Sequence, residues 1–296
     1  MKTIAITGSS GLIGTALKHT LIKRGDSVKC LVRRPTSNDS EISWDPKNRI
    51  LEPSHLHGVD AVINLAGAGI ADRRWSTKQM NEILMSRVNG TELISETISK
   101  LDPPHRPMSL INASAIGFYG NSGLEAVTEK SSQGGGFVAD VCKKWEDSTL
   151  LAEKAETLVA HARIGIVLSP SGGVLKKLLP IFKFGLGGRI GSGNQLMSWI
   201  SLHDVIDALC WILDTKISGP VNLVSPNPVS NLDFSKTLAS TLKRPALIPV
   251  PPQVLMLLRG RQLVEELILS SQCVVPEVLL KNDFKFSHNS LKEALL

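Results

Sequence analysis

Aromatic residues are scarce in this chain: Phe, Trp and Tyr together make up 4% of it, and Tyr119 is the single tyrosine. A nucleic-acid groove built on stacked bases therefore has few platforms to use. The net charge of +6 does not reverse that reading, because the longest basic clusters are pairs, such as Arg33-Arg34, Arg73-Arg74, Lys143-Lys144 and Lys176-Lys177. A dispersed positive surface favours small anionic ligands, and no nucleic-acid partner is expected. Cysteine is also sparse. Cys30, Cys142, Cys210 and Cys273 show no Cys-x-x-Cys spacing and sit in apolar stretches, which argues for buried free thiols over zinc ligands or a disulfide framework. His55 and His57 have no third ligand nearby, so no metal site is expected. No apolar run approaches the roughly 20 residues that span a bilayer, and the first strand begins too early for a signal peptide. A cytoplasmic protein without membrane contact is expected.

What is present is a 296-residue chain that is 42% hydrophobic and 20% charged, enough for one large or two modest domains. Its most informative stretch is the start. The β-branched, apolar run Thr3 to Thr7 stops at a glycine, and the helix-like pattern Leu12, Ile13, Ala16, Leu17, Leu21 begins within a few residues. In Gly8-Ser9-Ser10-Gly11-Leu12-Ile13-Gly14 each glycine has a task. Gly8 turns the chain, Gly11 lets backbone approach a ligand, and Gly14 lets the helix pack closely on the strand. The free N–H groups of Leu12 and Ile13, at the positive end of the helix dipole, suit a pyrophosphate. A dinucleotide site built on Gly8, Ser10, Gly11, Leu12, Ile13 and Gly14 is predicted.

The second strand, Ser27 to Val32, ends in Arg33-Arg34 with no acidic residue at its tip. An acid there selects NAD and an arginine accommodates the 2′-phosphate of NADP, so NADP(H) is expected on Arg33 and Arg34. Asp60 to Gly67 reads as a strand buried on both faces, as in a parallel sheet. It runs into the small patch Ala66-Gly67-Ala68-Gly69, which leaves room for a flat ligand. A long amphipathic helix is predicted from Ser76 to about Lys100. A buried strand follows over 109–114, and Ala113 and Ser114 at its end face the same crevice. Ser114 and Tyr119 form a candidate proton-handling pair there. A helix from Phe137 to about Leu158 and a strand over Arg163–Leu168 complete an alternating βα pattern, which predicts a doubly wound parallel sheet with right-handed crossovers.

Beyond Pro170 the texture changes to a short helix over 174–184, the glycine-dense loop 185–193, a strand over 196–200, a helix over 203–213 and a late strand over 221–224. The expected division is a dinucleotide-binding domain over 1–169, its sheet completed by parts of 201–225, and a smaller lobe over 170–296 that covers the crevice and contacts a small-molecule substrate. Homodimerisation through the 76–100 helix is a further expectation.

These features resemble the extended short-chain dehydrogenase/reductase superfamily of the nucleotide-sugar epimerase type. The resemblance is carried by the glycine loop, Asn64-Leu65-Ala66-Gly67, Asn89-Gly90-Thr91 and Ser114 with Tyr119-Gly120. More narrowly the chain is similar to the YfcH-type epimerase/dehydratase family, through Arg73-Arg74-Trp75, Ser86-Arg87, Lys144-Trp145-Glu146, the loop 185–193 with Gln195, Trp199-Ile200 and Asn222 to Pro228. The resemblance implies a Rossmann fold and cofactor contacts from Arg33, Leu65, Ala66, Gly67, Glu82 and Arg87. It also implies substrate contacts from Arg189, Trp199 and His203 in the C-terminal lobe. One departure is chemical: superfamily enzymes carry Tyr-x-x-x-Lys on the 137–158 helix, where this chain has Val138 and Cys142. Another is that Ser201 stands at the relatives' histidine position and His203 lies two residues on. Two functions follow: an NADP-dependent oxidoreductase or epimerase using Ser114 and Tyr119, or a non-catalytic NADP(H) redox sensor.

Overall fold

The computed structural model describes residues 1–246 and 248–295. Strand β1 (Thr3–Thr7), helix α1 (Leu12–Lys23), β2 (Ser27–Val32), β3 (Glu41–Ser43), β4 (Ala61–Asn64), α2 (Thr77–Ser99) and β5 (Ser109–Ala115) follow in chain order. After the two-residue β6 (Ala126–Val127) come α3 (Phe137–Asp147), α4 (Leu150–Lys154), β7 (Leu158–Ile164), β8 (Ile166–Ser169) and α5 (Gly173–Lys183). Then follow β9 (Leu196–Met197), β10 (Trp199–Ser201), α6 (Leu202–Thr215), β11 (Gly219–Leu223), β12 (Val229–Ser230), α7 (Asn231–Thr241) and α8 (Pro252–Arg259). Seven strands form one parallel sheet in the order β11-β7-β5-β4-β1-β2-β3. The order reverses between β1 and β4, which is where open α/β sheets leave a ligand crevice at their carboxyl edge.

Apolar residues of the strands alternate between two helical layers. Ile4, Ile6, Ile63, Ile111 and Ala113 pack with Leu17 and Leu21 of α1 and Val205 and Leu209 of α6. Ala5, Val62 and Leu110 pack with Leu93, Ile94 and Ile98 of α2 and Ala152 of α4. Both faces of the sheet are thus covered, and this is why its strands read as continuous apolar runs. A separate core gathers Leu168, Leu175, Phe182, Trp199, Phe234 and Leu238 from the later elements.

Three elements differ from the sequence expectation, each for a tertiary reason. The helix expected to reach Leu158 ends at Asp147, and Leu158 already belongs to β7. At the break, the Ser95 hydroxyl of α2 donates to Thr149 O and accepts from Ala152 N, so a neighbouring helix satisfies the backbone groups that a break exposes. The single strand expected over 163–168 is two. The break falls at Gly165, where a Cβ would lie 2.7 Å from Ser198 O, and Ile166–Ser169 pairs with β10 instead of the main sheet. The strand expected over 196–200 is likewise split, β9 pairing antiparallel with β12 and β10 pairing parallel with β8. The late strand, Gly219–Leu223, lies beside β7 at the edge of the main sheet.

Candidate functional site

The β1–α1 turn is a cradle from which side chains are excluded. Gly8 has φ +64°, and a Cβ on it would stand 2.7 Å from Leu65 O; a Cβ on Gly14 would stand 2.2 Å from Gly8 O. Gly11 is the N-cap of α1 and donates its N–H to Gly8 O at 3.0 Å. No side chain caps the helix and its first turn holds no acid, so the amides of Leu12 and Ile13 keep their donor capacity and the dipole is not offset. Ser10 is exposed beside them. The later elements close in from above: a Cβ on Gly172 would touch Leu12 Cδ1 at 2.8 Å, and Lys177 of α5 pairs with Asp72 at 3.0 Å.

The floor of the crevice is held by a buried polar network that sequence reasoning missed. Thr7 Oγ1 donates to Asn64 Oδ1 at 2.6 Å and accepts from the N–H groups of Leu65 and Ala66. Asn64 Nδ2 donates to Asn112 Oδ1 and to Thr91 Oγ1, which also accepts from the Trp145 indole at 2.9 Å. This network fixes the ends of three strands to α2 and α3. The signal was legible: Asn64 and Asn112 are polar residues near the ends of apolar strands, and they stand opposite each other in register. Arg87 lies under Gly67, where a Cβ would meet its guanidinium carbon at 3.1 Å. It donates to Ala68 O at 3.0 Å and lies over the Trp145 ring. Burial pulls its pKa down, and no carboxylate pairs with it among the described residues. Glu82, named beside Arg87 from the resemblance, is exposed.

At the β2 end the two arginines are not equivalent. Arg34 makes a forked pair with Glu41 at 2.9 and 2.5 Å, which holds the Glu41 carboxyl at about 2, with Arg34 the largest cause. The absence of an acid at the strand tip was correct for the linear sequence, but the parallel pairing of β3 brings one alongside. Arg33 is exposed and has no ion-pair partner among the described residues, so it is the guanidinium available to a phosphate.

Ser114 and Tyr119 are linked, but not as two hydroxyls facing one crevice. Ser114 Oγ donates to Glu146 Oε1 at 2.6 Å, and Glu146 is forked onto Arg163 at 2.9 and 2.8 Å. Arg163 donates to the Tyr119 hydroxyl at 2.9 Å, which donates to Asn222 at 2.7 Å. Tyr119 is only 4% exposed, and burial raises its pKa against the opposing pull of Arg163. Its hydroxyl therefore has both a donor and an acceptor inside the protein. Val138 and Cys142 are buried beside it, and the Cys142 thiol is pushed up to about 11 by burial, with the Glu146 charge adding to the effect.

The expected substrate residues separate. Trp199 is fully buried, its indole N–H donating to Asn227 O at 2.9 Å; it is core and presents nothing to a ligand. His203 is exposed and lies 3.0 Å from Asp207, beside His288. Arg189 is exposed and donates to Ser192 O. Its glycine loop is dense because backbone approaches it: a Cβ on Gly188 would stand 1.9 Å from Ile248 O, and Gly191 N–H donates to Val250 O.

The sheet order, the glycine cradle and the crevice at the β1/β4 switch define a short-chain dehydrogenase/reductase type of dinucleotide fold. Residues 4–137 match the NAD dependent epimerase/dehydratase family, and residues 250–296 match a domain of unknown function, DUF1731. The chain belongs to the epimerase family. It is 41% identical over 293 residues to the epimerase family protein Mb2239 of Mycobacterium bovis, covering 99% of this chain and 96% of that protein. It is 34% identical over 297 residues to human epimerase family protein SDR39U1, covering 99% and 98%. The crystal structure of human SDR39U1 (isoform 2) with NADPH superposes with a TM-score of 0.89 at 31% identity, covering 99% of this chain and 97% of that one.

Proposed function

We propose that this protein binds NADP(H) in the crevice at the β1/β4 switch and acts as an oxidoreductase or epimerase on a small carbonyl or hydroxyl substrate. The observation that carries the cofactor assignment is the uncapped, Cβ-free start of α1 together with the exposed Arg33 at the end of β2, which has no ion-pair partner among the described residues. The NADPH in the human relative's structure supports it. Gly8, Ser10, Gly11, Leu12, Ile13 and Gly14 would hold the pyrophosphate, Arg33 the 2′-phosphate with Arg34 beside it, and Leu65, Ala66, Gly67, Arg87 and Ala113 the nicotinamide half. When bound, the cofactor supplies hydride exchange. Ser114 Oγ–H donates a hydrogen bond to Glu146, which leaves the oxygen's lone pairs to accept one from a substrate hydroxyl; as the substrate proton moves to Ser114 Oγ, the serine's own proton moves to the Glu146 carboxylate. Tyr119 joins this path only through Arg163. The reading includes a cytoplasmic protein, in keeping with four free cysteines, and a homodimer through α2.

The test is calorimetric titration with NADPH and NADH, followed by a substrate screen for NADPH consumption. A hydrogen bond to a charged group is worth about 1.5–3 kcal/mol, so Arg33→Ala should weaken NADPH by at least about tenfold and leave NADH unchanged. Equal loss for both cofactors removes the Arg33 assignment. Turnover that survives Ser114→Ala removes the proton path. The buried, fully partnered Tyr119 and the Val138/Cys142 pair favour a second reading, a non-catalytic sensor; equal affinity for a captured partner protein with NADP⁺ and with NADPH would end it.

A further inference from the structure

His203 stands apart from the crevice chemistry, yet its surroundings are chemically specific. Asp204, the next residue, is 1% exposed. It has no Lys or Arg partner among the described residues; its carboxylate accepts from Ser201 Oγ at 2.8 Å and from the backbone N–H groups of Ser287 and His288 at 2.7 and 3.2 Å. The His288 ring lies against it, Nδ1 3.3 Å from Oδ2. The His203 and His288 rings are 5.7 Å apart at 70°. One ligand atom from each of His203, Asp204 and His288 falls within 4.8 Å of the others.

We infer that these three residues form a divalent transition-metal site that ties the C-terminal segment at His288 to the start of α6. Two imidazoles and one carboxylate are the donor set of zinc and its neighbours, with solvent as the fourth ligand. Ligand atoms around one such ion stand about 3.4 Å apart, so the site must close by roughly 1.4 Å. The exposed His203 side chain has the freedom to supply that movement. His203 Nδ1 lies 3.0 Å from Asp207 Oδ2, one helical turn on. A proton held there leaves the lone pair on Nε2 for a metal, and Asp207 then orients the ring as outer-shell carboxylates do. The buried Asp204, with no Lys or Arg partner among the described residues, is the anchor.

The test uses the full, untagged chain with Zn²⁺ in competition with a chromophoric chelator, and with Co²⁺ read by its visible absorption. One equivalent should bind, and the Co²⁺ spectrum should show imidazole-carboxylate coordination. His203→Ala and His288→Ala should each weaken binding by well over tenfold, and Asp207→Asn by about tenfold through the outer shell. His203 is exposed, so thermal unfolding of His203→Ala in metal-free buffer should match the parent and keep folding separate from binding. His57 and His105, stacked at 4.5 Å on another surface, are the internal control: His57→Ala should leave the stoichiometry unchanged. No saturable binding, binding indifferent to His203→Ala, or binding lost in His57→Ala overturns the site.

Discussion

Glu146→Gln is the substitution that tests most of the interior at once. Glu146 and Arg163 are a buried pair with side chains only 9% and 5% exposed, joined by two short bonds and flanked by Ser114 and Tyr119. The Arg163 guanidinium also lies 3.5 Å from the Phe118 ring centre. An amide in place of the carboxylate removes the only anion paired with Arg163 among the described residues and turns an N–H donor toward another donor. Breaking a buried pair from one side costs about 3–5 kcal/mol, because the remaining charge is stranded. That is a large share of the roughly 5–15 kcal/mol that stabilises a folded chain. At about 2 °C per kcal/mol for a chain of this size, Tm should fall by roughly 6–10 °C. Thermal unfolding followed by tryptophan fluorescence measures the shift, and urea unfolding measures the free-energy loss. The reasoning also fixes a non-additivity. Arg163→Met should cost as much as Glu146→Gln, while Glu146→Gln combined with Arg163→Met should cost far less than the two single losses summed, since no charge is left unpaired. A loss under about 1 kcal/mol for Glu146→Gln, or simple additivity, would refute the account of this network.

The remaining predictions concern the two ends of the crevice. Gly14→Ala puts a methyl 2.2 Å from Gly8 O, so it should abolish measurable NADPH binding in calorimetry, whereas Gly25→Ala, with open space around its Cβ but φ +89°, should cost stability and spare binding. Glu41→Gln releases Arg34 from its fork and should tighten NADPH severalfold without affecting NADH; weaker NADPH binding would show that Glu41 positions the loop instead. Tyr119 is the only tyrosine, so tyrosinate absorbance reads one group. Its pKa is raised, chiefly by burial, so at pH 10, the ordinary phenol value, less than half of the folded protein should carry tyrosinate. The folded state then holds the proton more tightly than the unfolded one, and stability should decline as pH rises above about 10. An ordinary titration in the folded protein would place the hydroxyl in solvent.

The alternation of strands and helices, the glycine cradle and the basic tip of β2 were all readable in the linear chain. They are local: a β-branched run, glycines spaced for a turn, and a helix start without an acid carry their meaning within about fifteen residues. What the sequence could not show is which partner each polar group meets. Arg33 and Arg34 are adjacent and look alike, but the pairing of β3 takes one of them with Glu41. Ser114 and Tyr119 are five residues apart, yet a short helical turn and Arg163 from β7 place the tyrosine hydroxyl inside the protein. Trp199 reads as a motif residue and is the centre of a second core, because β10 pairs with a strand that left the main sheet at Gly165. His203 and its neighbour Asp204 meet His288 only where the segment around 288 returns to α6. Local sequence thus determined the glycine cradle through backbone geometry, while long-range packing decided the Ser114–Glu146–Arg163–Tyr119 network and the histidine cluster, since burial and charge pairing depend on residues far apart in the chain.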